Sequence, residues 1–350
     1  MQRNENPAAL RRKSLTYLIL TAVLALTSFL SIWFVSKLFG EGGVSFSFLT
    51  PETALGIAAF LPAYFLFDSL RFYFTLRTLG IRIGFWYIVR LTFINVFVSA
   101  ITPFASGGGF AQLYFLTRKG VPLGSATAAS TIRTLLGVSF FLIAAPVILI
   151  GHPGLLDLLG GGYIWILTVT IVMFSVVILF LIWVVTNEKT LKRACYRFTR
   201  WLRRKRMLSP RKARGACLRV FAEIRNFNAG VRLFFRGSKK YLVLSVLSTL
   251  LFLFSLFSLP LLLIRTMGYQ MPVSFAYQAA IIISFVTYFA LTPGASGIAE
   301  GGFALMFSGS VGEAGIAPLT LLWRSLAVYA GTAVGMAIFY IEIFRRKRGE

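Results

Sequence analysis

The sequence predicts an all-α polytopic membrane protein with an inverted-topology repeat, formed by six full spans and two helical hairpins broken by proline and glycine. Three observations predict this fold class: the apolar composition, the confinement of basic residues to alternate loops, and two similar Pro/Gly segments far apart in the chain. Of the 350 residues, 57% are hydrophobic and 13% are charged, and the mean hydropathy is +0.78. A soluble domain is about 45–50% apolar and about 25% charged.

The composition also excludes several classes of function. A net charge of +25 would suit a nucleic-acid-binding protein, but the basic residues lie in blocks between apolar runs, as the positive-inside rule predicts for a membrane protein. One histidine and two cysteines are too few for a His/Cys metal site or a disulfide framework. We therefore expect neither a cofactor nor a nucleic-acid partner.

The charges of the loops predict a topology. The six full spans are expected at 15–39, 53–76, 125–150, 163–185, 241–264 and 316–344. The first is too long for the apolar part of a cleaved signal peptide, which has about 7–15 residues. Between Lys189 and Lys240 there are 18 Lys or Arg residues and one acid, Glu223, so this loop is expected to be cytoplasmic. Both termini then face the cytoplasm, and the expected location is the bacterial cytoplasmic (inner) membrane.

Two apolar segments are left over, 84–117 and 273–311, and each is interrupted at its centre by proline and glycine. The neighbouring spans require the first segment to begin and end inside and the second to begin and end outside. Each segment must therefore be a hairpin, formed either by a re-entrant pair of helices or by two short spans.

The two hairpins resemble each other in sequence. Residues 102–107 (Thr-Pro-Phe-Ala-Ser-Gly) align with residues 292–297 (Thr-Pro-Gly-Ala-Ser-Gly), and a Gly-Gly-Phe-Ala segment follows in both, after a three-residue insertion in the second. The sequence therefore predicts a first membrane repeat at 1–155 and a second, inverted repeat at 156–350, which contains the basic segment 186–240. Inverted repeats with broken helices near the midplane are typical of transporters.

Charged residues inside the spans are the first candidate site residues. Arg133 and Arg324 lie 191 residues apart, at matching places in the two repeats. A charge at the bilayer centre costs about 2.5–3.5 kcal/mol on insertion scales, so each arginine should face protein or water. One interpretation is a pair of guanidiniums that holds a phosphate, and the alternative is a snorkelling or structurally paired arginine. Asp68 and Arg71 are expected to form a local salt bridge.

Glu300 lies in the three-residue insertion of the second hairpin. It could be a counter-ion for Arg324, a proton site that couples transport, a contact for a cationic headgroup, or a cap for a half-helix N-terminus. Gln112 could hydrogen-bond a headgroup or a neighbouring helix.

The Pro/Gly breaks themselves are the remaining candidates. They could present backbone N–H groups to an anion or allow close helix packing. The candidate substrate-binding residues are therefore Arg133, Arg324, Glu300, Gln112, Pro103, Gly108, Gly109, Pro293 and Gly297.

The basic segment contains a second kind of candidate surface. Between 211 and 236, apolar side chains recur at a spacing near 3.5, with arginine and lysine between them. This pattern predicts an amphipathic helix that lies on an anionic leaflet. Nucleic-acid binding is the weaker alternative, because the segment is short and is joined to spans at both ends.

Taken together, these motifs resemble the lysylphosphatidylglycerol synthase transmembrane (flippase-like) family. The pattern Pro293-Gly294-x-x-Gly297-x-x-Glu300, followed by Leu322-x-Arg324, resembles the second half of that family. Thr102-Pro103, Gly108-Gly109, Gln112 and Arg133 match one branch of it in the first half. The resemblance covers about residues 10–345 and implies a bacterial inner-membrane protein that moves lipids between leaflets.

Two departures from the family pattern limit what the resemblance implies. Ser-Gly-Gly-Gly stands at 106–109, where many members carry Arg-x-Gly-Glu, so their headgroup preference does not carry over. The soluble aminoacyl-transfer domain of the two-part synthases does not follow the last span, so we expect the chain not to be the synthase.

Three functions compete at this point. The first is a transporter, flippase or scramblase of lipid or lipid-linked phosphate, whose partners are membrane lipids such as an anionic phospholipid or a polyprenyl phosphate. The second is a non-catalytic accessory subunit of an enzyme in the aminoacyl-phospholipid or polyprenyl-phosphate glycolipid pathway. The third, an intramembrane enzyme, is disfavoured because Asp68 and Glu300 are the only acids at suitable depth and lie in different halves.

Overall fold

The computed structural model describes residues 50–151, 163–204, 210–288, 290 and 292–344, together with isolated positions between 22 and 37. Across these ranges the regular structure is helical and includes no β-strand, which confirms the all-α fold class. Apart from the isolated positions, the first predicted span at 15–39 lies outside the described residues.

Eleven α-helices follow one another in the described ranges. They are α1 (Pro51–Thr78), α2 (Phe85–Ala100), α3 (Ser106–Arg118), α4 (Leu123–Gly151), α5 (Tyr163–Thr186), α6 (Glu188–Arg204), α7 (Pro210–Arg236), α8 (Lys239–Thr266), α9 (Val273–Thr287), α10 (Ile298–Arg324) and α11 (Ala330–Phe344). A π-helical turn at Ser325–Tyr329 joins α10 to α11.

Four helical segments in the described part of the chain are long and apolar enough to cross a membrane. They are Ala54–Thr78, Leu123–Gly151, Lys239–Thr266 and Ala314–Ile343. Each coincides with a span expected from the sequence, and α5 covers the span expected at 163–185. A multi-pass membrane protein is thus supported, while the number of six full spans stays a prediction.

Both predicted hairpins are broken where proline and glycine occur. In the first, a short 3₁₀ turn at Pro103–Ala105 separates α2 from α3. In the second, a 3₁₀ turn at Pro293–Ala295 separates α9 from α10. Gly312, with φ of 72°, interrupts α10 near the end of the predicted hairpin segment. Proline fits these breaks because it has no backbone N–H group to donate within a helix.

The two 3₁₀ turns have the same local geometry and contact each other. Ala105 and Ala295 both have positive φ, 50° and 57° respectively. In each turn, the alanine N–H donates to the threonine carbonyl three residues before it, at 3.2 Å and 3.0 Å. This likeness is what a repeat would produce, and the inverted repeat as a whole stays a prediction.

The described residues divide into two compact units. The hairpin unit comprises Met1–Leu66, Val89–Ala111 and Phe252–Glu350, and the basic unit comprises Phe67–Ile88 and Gln112–Leu251. Each unit takes segments from both halves of the sequence. Both broken turns belong to the hairpin unit, whereas the basic segment belongs to the basic unit.

In the basic unit, α7 packs against α4 and α6. The Glu223 carboxylate accepts a hydrogen bond from the Gly124 N–H at 2.7 Å, in the first turn of α4. A Cβ atom at Gly124 would lie 2.0 Å from the Glu223 carbonyl oxygen, so only glycine allows the two backbones to approach so closely. The predicted helix at 211–236 is confirmed, and its contact with a leaflet stays a prediction.

The two cysteines mark the contact between α6 and α7. Burial raises the pKa of the Cys195 thiol above its ordinary value, and the neighbouring Cys217 raises this pKa further. Cys217 is buried and Cys195 is half-buried. Because the thiolate is the nucleophile, Cys195 should be a slowly reacting thiol at neutral pH.

We expect the alkylation rate of Cys195 by a small maleimide to rise with pH, with a midpoint above that of a free cysteine. The rate is measured by mass spectrometry of the folded protein between neutral and strongly alkaline pH. A Cys217→Ser variant is the control, and its midpoint should move towards the ordinary value because one cause of the shift is removed. A midpoint at or below that of free cysteine in the unsubstituted protein would contradict the burial of Cys195.

Candidate functional site

In the basic unit, Arg133 shares a carboxylate with a second arginine. Arg133, on α4, is 5% exposed, and its Nη2 donates to Asp68 Oδ1 at 2.6 Å. Arg71 Nε donates to the same oxygen at 2.6 Å. The Asp68–Arg71 salt bridge expected from the sequence is therefore confirmed, but it is one part of a buried cluster of two guanidiniums and one carboxylate.

The local sequence positions this cluster. Asp68 and Arg71 are three residues apart on α1, so they lie on the same face of the helix. Phe72 follows them, and its ring centroid lies 5.1 Å from Arg133 Cζ, which adds a cation–π contact. On α4, Gly137 lies one turn beyond Arg133, and an added Cβ there would be 3.7 Å from Arg71 Nη1. The second guanidinium thus lies against this turn of α4.

Gln112 lies on the same unit as Arg133 and is 2% exposed. Its Oε1 accepts a weak hydrogen bond of 3.3 Å from the Ser130 hydroxyl, three residues before Arg133 on α4. Its Nε2 has no hydrogen-bond partner among the described residues. A buried donor without a partner is costly, so this amide group is suited to an acceptor that arrives with a ligand.

In the hairpin unit, Arg324 forms a buried ion pair with Glu300. Arg324 is 3% exposed and Glu300 is fully buried, and Arg324 Nε lies 2.8 Å from Glu300 Oε1. Arg324 Nη2 also donates to the carbonyl oxygen of Gly294 in the 3₁₀ turn, at 2.7 Å. The arginine therefore joins the end of α10 to the broken turn that precedes the helix.

Glu300 has a second contact, which shows that it is a helix cap as well as a counter-ion. Its Oε2 accepts a hydrogen bond from the Gly297 N–H at 2.7 Å. Glu300 is therefore both the counter-ion of Arg324 and the cap of the α10 N-terminus, where a negative charge is favoured by the helix dipole. Proton coupling and contact with a cationic headgroup stay hypotheses.

The two hairpins satisfy equivalent backbone groups in different ways. In the first, the Gly107 N–H donates to the Thr102 hydroxyl at 3.0 Å. In the second, Thr292 donates its hydroxyl to the Ser296 carbonyl at 2.8 Å instead, and Glu300 takes over the capping of Gly297. The three-residue insertion thus supplies the carboxylate that the first hairpin does not have.

The candidate glycines and prolines differ in their surroundings. Gly108 is packed tightly, because an added Cβ would lie 2.0 Å from Ser99 Oγ. Gly109 has no heavy atom within 4 Å of such a Cβ. Gly297 has φ of 89°, which a residue with a side chain rarely adopts. Pro103 is exposed and Pro293 is half-buried, and the two turns they begin are in contact.

The structure distributes the predicted site residues over the two units. The hairpin unit holds Pro103, Gly108, Gly109, Pro293, Gly297, Glu300 and Arg324, and the basic unit holds Gln112 and Arg133. The sequence analysis missed the role of Asp68 as partner of Arg133, which is 65 residues away. The pairing could have been predicted, because a buried arginine needs a carboxylate partner and Asp68 is one of the few acids within the spans.

Comparisons with known proteins identify related sequences. The family model described as "Lysylphosphatidylglycerol synthase TM region" matches residues 4–335. A "UPF0104 membrane protein" of Archaeoglobus fulgidus is 27% identical over 293 residues, which are 83% of this chain and 87% of the archaeal protein. No solved structure matches the chain.

Proposed function

Because this chain belongs to the lysylphosphatidylglycerol synthase TM region family, we propose that it moves a phospholipid or a lipid-linked phosphate between the two leaflets of the membrane. The family indicates a membrane protein of lipid metabolism. In the proposed mechanism, the headgroup crosses through a midplane site between two inverted repeats, while the acyl chains remain in the bilayer. This route avoids most of the cost of transferring the chains through water.

The observation that carries the proposal is a buried arginine with a carboxylate partner in each half of the chain. Arg133 is held by Asp68 and Arg324 by Glu300, at 2.6 Å and 2.8 Å. A guanidinium binds phosphate with two parallel hydrogen bonds, and it can exchange a carboxylate for a phosphate without losing its charge compensation. After the exchange, Asp68 keeps its salt bridge with Arg71 and Glu300 keeps the hydrogen bond from the Gly297 N–H, so each displaced carboxylate retains a partner.

The cluster around Asp68 suits the negative charge of a phosphate headgroup. Two guanidiniums, Arg71 and Arg133, approach the same carboxylate oxygen. A phosphate diester would add a second negative charge beside them. Gln112 is hydrogen-bonded to Ser130, which lies one helical turn before Arg133 on α4. Its amide N–H group could therefore donate to the same headgroup.

The broken hairpins support the same proposal in the other unit. The turns at Pro103 and Pro293 are in contact, and the helices that follow them, α3 and α10, begin within a few residues of that contact. Two helix N-termini therefore lie close together. Glu300 caps that of α10, and the dipole of α3, which has no acid in its first turn, favours the negative charge of a headgroup. The positive φ of Ala105 and Ala295 is strained for a residue with a side chain, and such strain collects at functional sites.

The test is leaflet exchange by the purified full chain in liposomes. The lipids are a labelled anionic phospholipid, an aminoacylated phospholipid and a polyprenyl phosphate, each assayed separately. Two variants remove a guanidinium without leaving its carboxylate unpaired: Arg133→Gln, in which Asp68 keeps Arg71 as its partner, and Arg324→Gln with Glu300→Gln. We expect exchange of one lipid class, reduced at least about tenfold in both variants, as for the loss of one bidentate contact of about 1.5–3 kcal/mol.

The matched control is the exposed ion pair of the hairpin unit. Arg90 and Glu342 are 2.7 Å apart, with side chains 44% and 23% exposed, and the variant Arg90→Gln with Glu342→Gln should exchange lipid at the unsubstituted rate. If the folded, unsubstituted chain exchanges none of the three lipids, the transporter proposal fails and the accessory-subunit hypothesis takes its place.

A further inference from the structure

Helix α6 (Glu188–Arg204) has two unlike sides. One side packs on α7, and half-buried side chains of Leu191, Cys195 and Thr199 lie along it. Asn228 of α7 donates to Glu188 Oε2 at 3.3 Å and fixes the start of this contact. On the other side, the described side chains from Arg193 to Trp201 that do not lie along α7 are exposed.

The exposed surface of α6 combines a stacked aromatic pair with arginines. The rings of Phe198 and Trp201 lie 5.9 Å apart at an interplanar angle of 20°, and the residues are 59% and 50% exposed. The exposed arginines of the helix are Arg193, Arg197, Arg200 and Arg204. Large aromatic side chains that remain exposed beside basic residues indicate a contact with a partner that is apolar and negatively charged.

The position of α6 in the chain identifies this partner. The apolar helix α5 ends at Thr186, and α6 begins two residues later at Glu188. In the last turns of α5, Phe180 and Trp183 form another exposed stacked pair, with centroids 6.2 Å apart. Aromatic residues at the end of a membrane helix mark the headgroup level of the bilayer. Helix α6, about 25 Å long, therefore starts at this level.

We propose that α6 lies on the anionic leaflet at the end of α5, with Phe198 and Trp201 in the interface and Arg197 and Arg204, which are four residues before and three residues after Trp201, on lipid phosphates. The single acid of α6, Glu188, is already engaged by Lys192 at 2.5 Å and does not offset these arginines. Each arginine near an anionic leaflet contributes about 1 kcal/mol, a factor of about five in binding. A leaflet also accounts for the exposed aromatic pair, because its interface can bury these rings. A partner that contacted only the arginines would leave the rings in water.

The test places a photo-crosslinking amino acid, p-benzoylphenylalanine, at one of two positions in the full chain. One replaces Phe198. The matched control replaces Tyr196, which is also an exposed aromatic residue, at 58%, but lies on the opposite side of the helix. Both proteins are embedded in nanodiscs of phosphatidylcholine with or without phosphatidylglycerol, irradiated, and analysed by mass spectrometry for lipid adducts.

We expect several-fold more lipid adduct from position 198 than from position 196, and more from nanodiscs that contain phosphatidylglycerol. Adding Arg197→Gln and Arg204→Gln should lower the adduct at 198 several-fold in the anionic nanodiscs only, because phosphatidylcholine has no net charge to attract these arginines. Size-exclusion chromatography checks that every variant is folded.

Two outcomes would overturn the proposal. Equal adduct yields at 198 and 196 would mean that α6 does not present its aromatic side to lipid. A crosslink from 198 to a second copy of the chain, in place of lipid, would assign this surface to a protein interface. The proposal is independent of leaflet exchange, so failure of the transporter proposal would leave it standing.

Discussion

Replacement of Arg324 by alanine is expected to lower the free energy of unfolding by about 3–5 kcal/mol, because it leaves a buried carboxylate without its counter-ion. Glu300 is fully buried and lies 2.8 Å from the guanidinium. The variant also loses the hydrogen bond of 2.7 Å from Arg324 to the Gly294 carbonyl, which connects α10 to the broken turn. Thermal unfolding in detergent micelles, followed by circular dichroism, measures the loss.

Two comparisons separate charge burial from other causes. Adding Glu300→Gln to Arg324→Ala should recover part of the lost stability, since the uncompensated charge disappears. Arg90→Ala removes an arginine of similar ion-pair geometry from a pair whose side chains are 44% and 23% exposed, and it should cost less than about 1 kcal/mol. An equal loss for Arg324→Ala and Arg90→Ala would show that burial does not control the energy of the Arg324 pair.

Adjacent glycines in the first hairpin should respond oppositely to an added methyl group. In Gly108→Ala, the new Cβ would lie 2.0 Å from Ser99 Oγ and 2.7 Å from the Asn95 carbonyl oxygen. The backbone atom cannot rotate away, so α2 and α3 must separate, at a cost of about 1–3 kcal/mol or more. In Gly109→Ala, the Cβ meets no heavy atom within 4 Å, and the helix gains about 0.5–1 kcal/mol from alanine.

The pair of variants is compared by the same unfolding measurement and then by leaflet exchange. Gly109→Ala should fold at least as well as the unsubstituted chain, and any loss of exchange it shows would point to close approach of a headgroup to the backbone. Stability of Gly108→Ala equal to that of Gly109→Ala would contradict the tight contact between α2 and α3.

The sequence predicted the elements that depend on local chemistry. Pro103 and Pro293 cannot donate a backbone hydrogen bond, so the helix breaks beside them follow from residue type alone. The likeness of the two turns was also visible, since the same Thr-Pro-x-Ala-Ser-Gly pattern occurs twice. The burial of Arg133 and Arg324 followed from the cost of a charge in the bilayer.

The contacts that depend on tertiary structure could not be obtained in this way. The spacing of Asp68 and Arg71 predicts their own pair, but nothing in the sequence aligns α1 with α4 so that Arg133 reaches the same carboxylate. Four interpretations of Glu300 stayed open because its role depends on two tertiary contacts. One carboxylate oxygen accepts from the Gly297 N–H and the other pairs with Arg324, and the sequence alone shows neither contact. The periodicity at 211–236 predicted the amphipathic helix α7. The amphipathic character of α6 was not predicted, because its many arginines hide the spacing of its apolar residues.

The close packing of α7 against α4 couples the position of the basic segment to that of α4. A hydrogen bond from Gly124 to Glu223 and the absence of room for a methyl group at Gly124 or Gly230 fasten the two helices together near the start of α4. Arg133 lies nine residues further along the same helix, about 13 Å from that joint. Because α7 is fixed to α4 at this point, a tilt of α7 would also tilt α4 and displace the buried guanidinium. A movement of the basic helices would therefore shift Arg133, and a tilt of α4 would in turn move those helices.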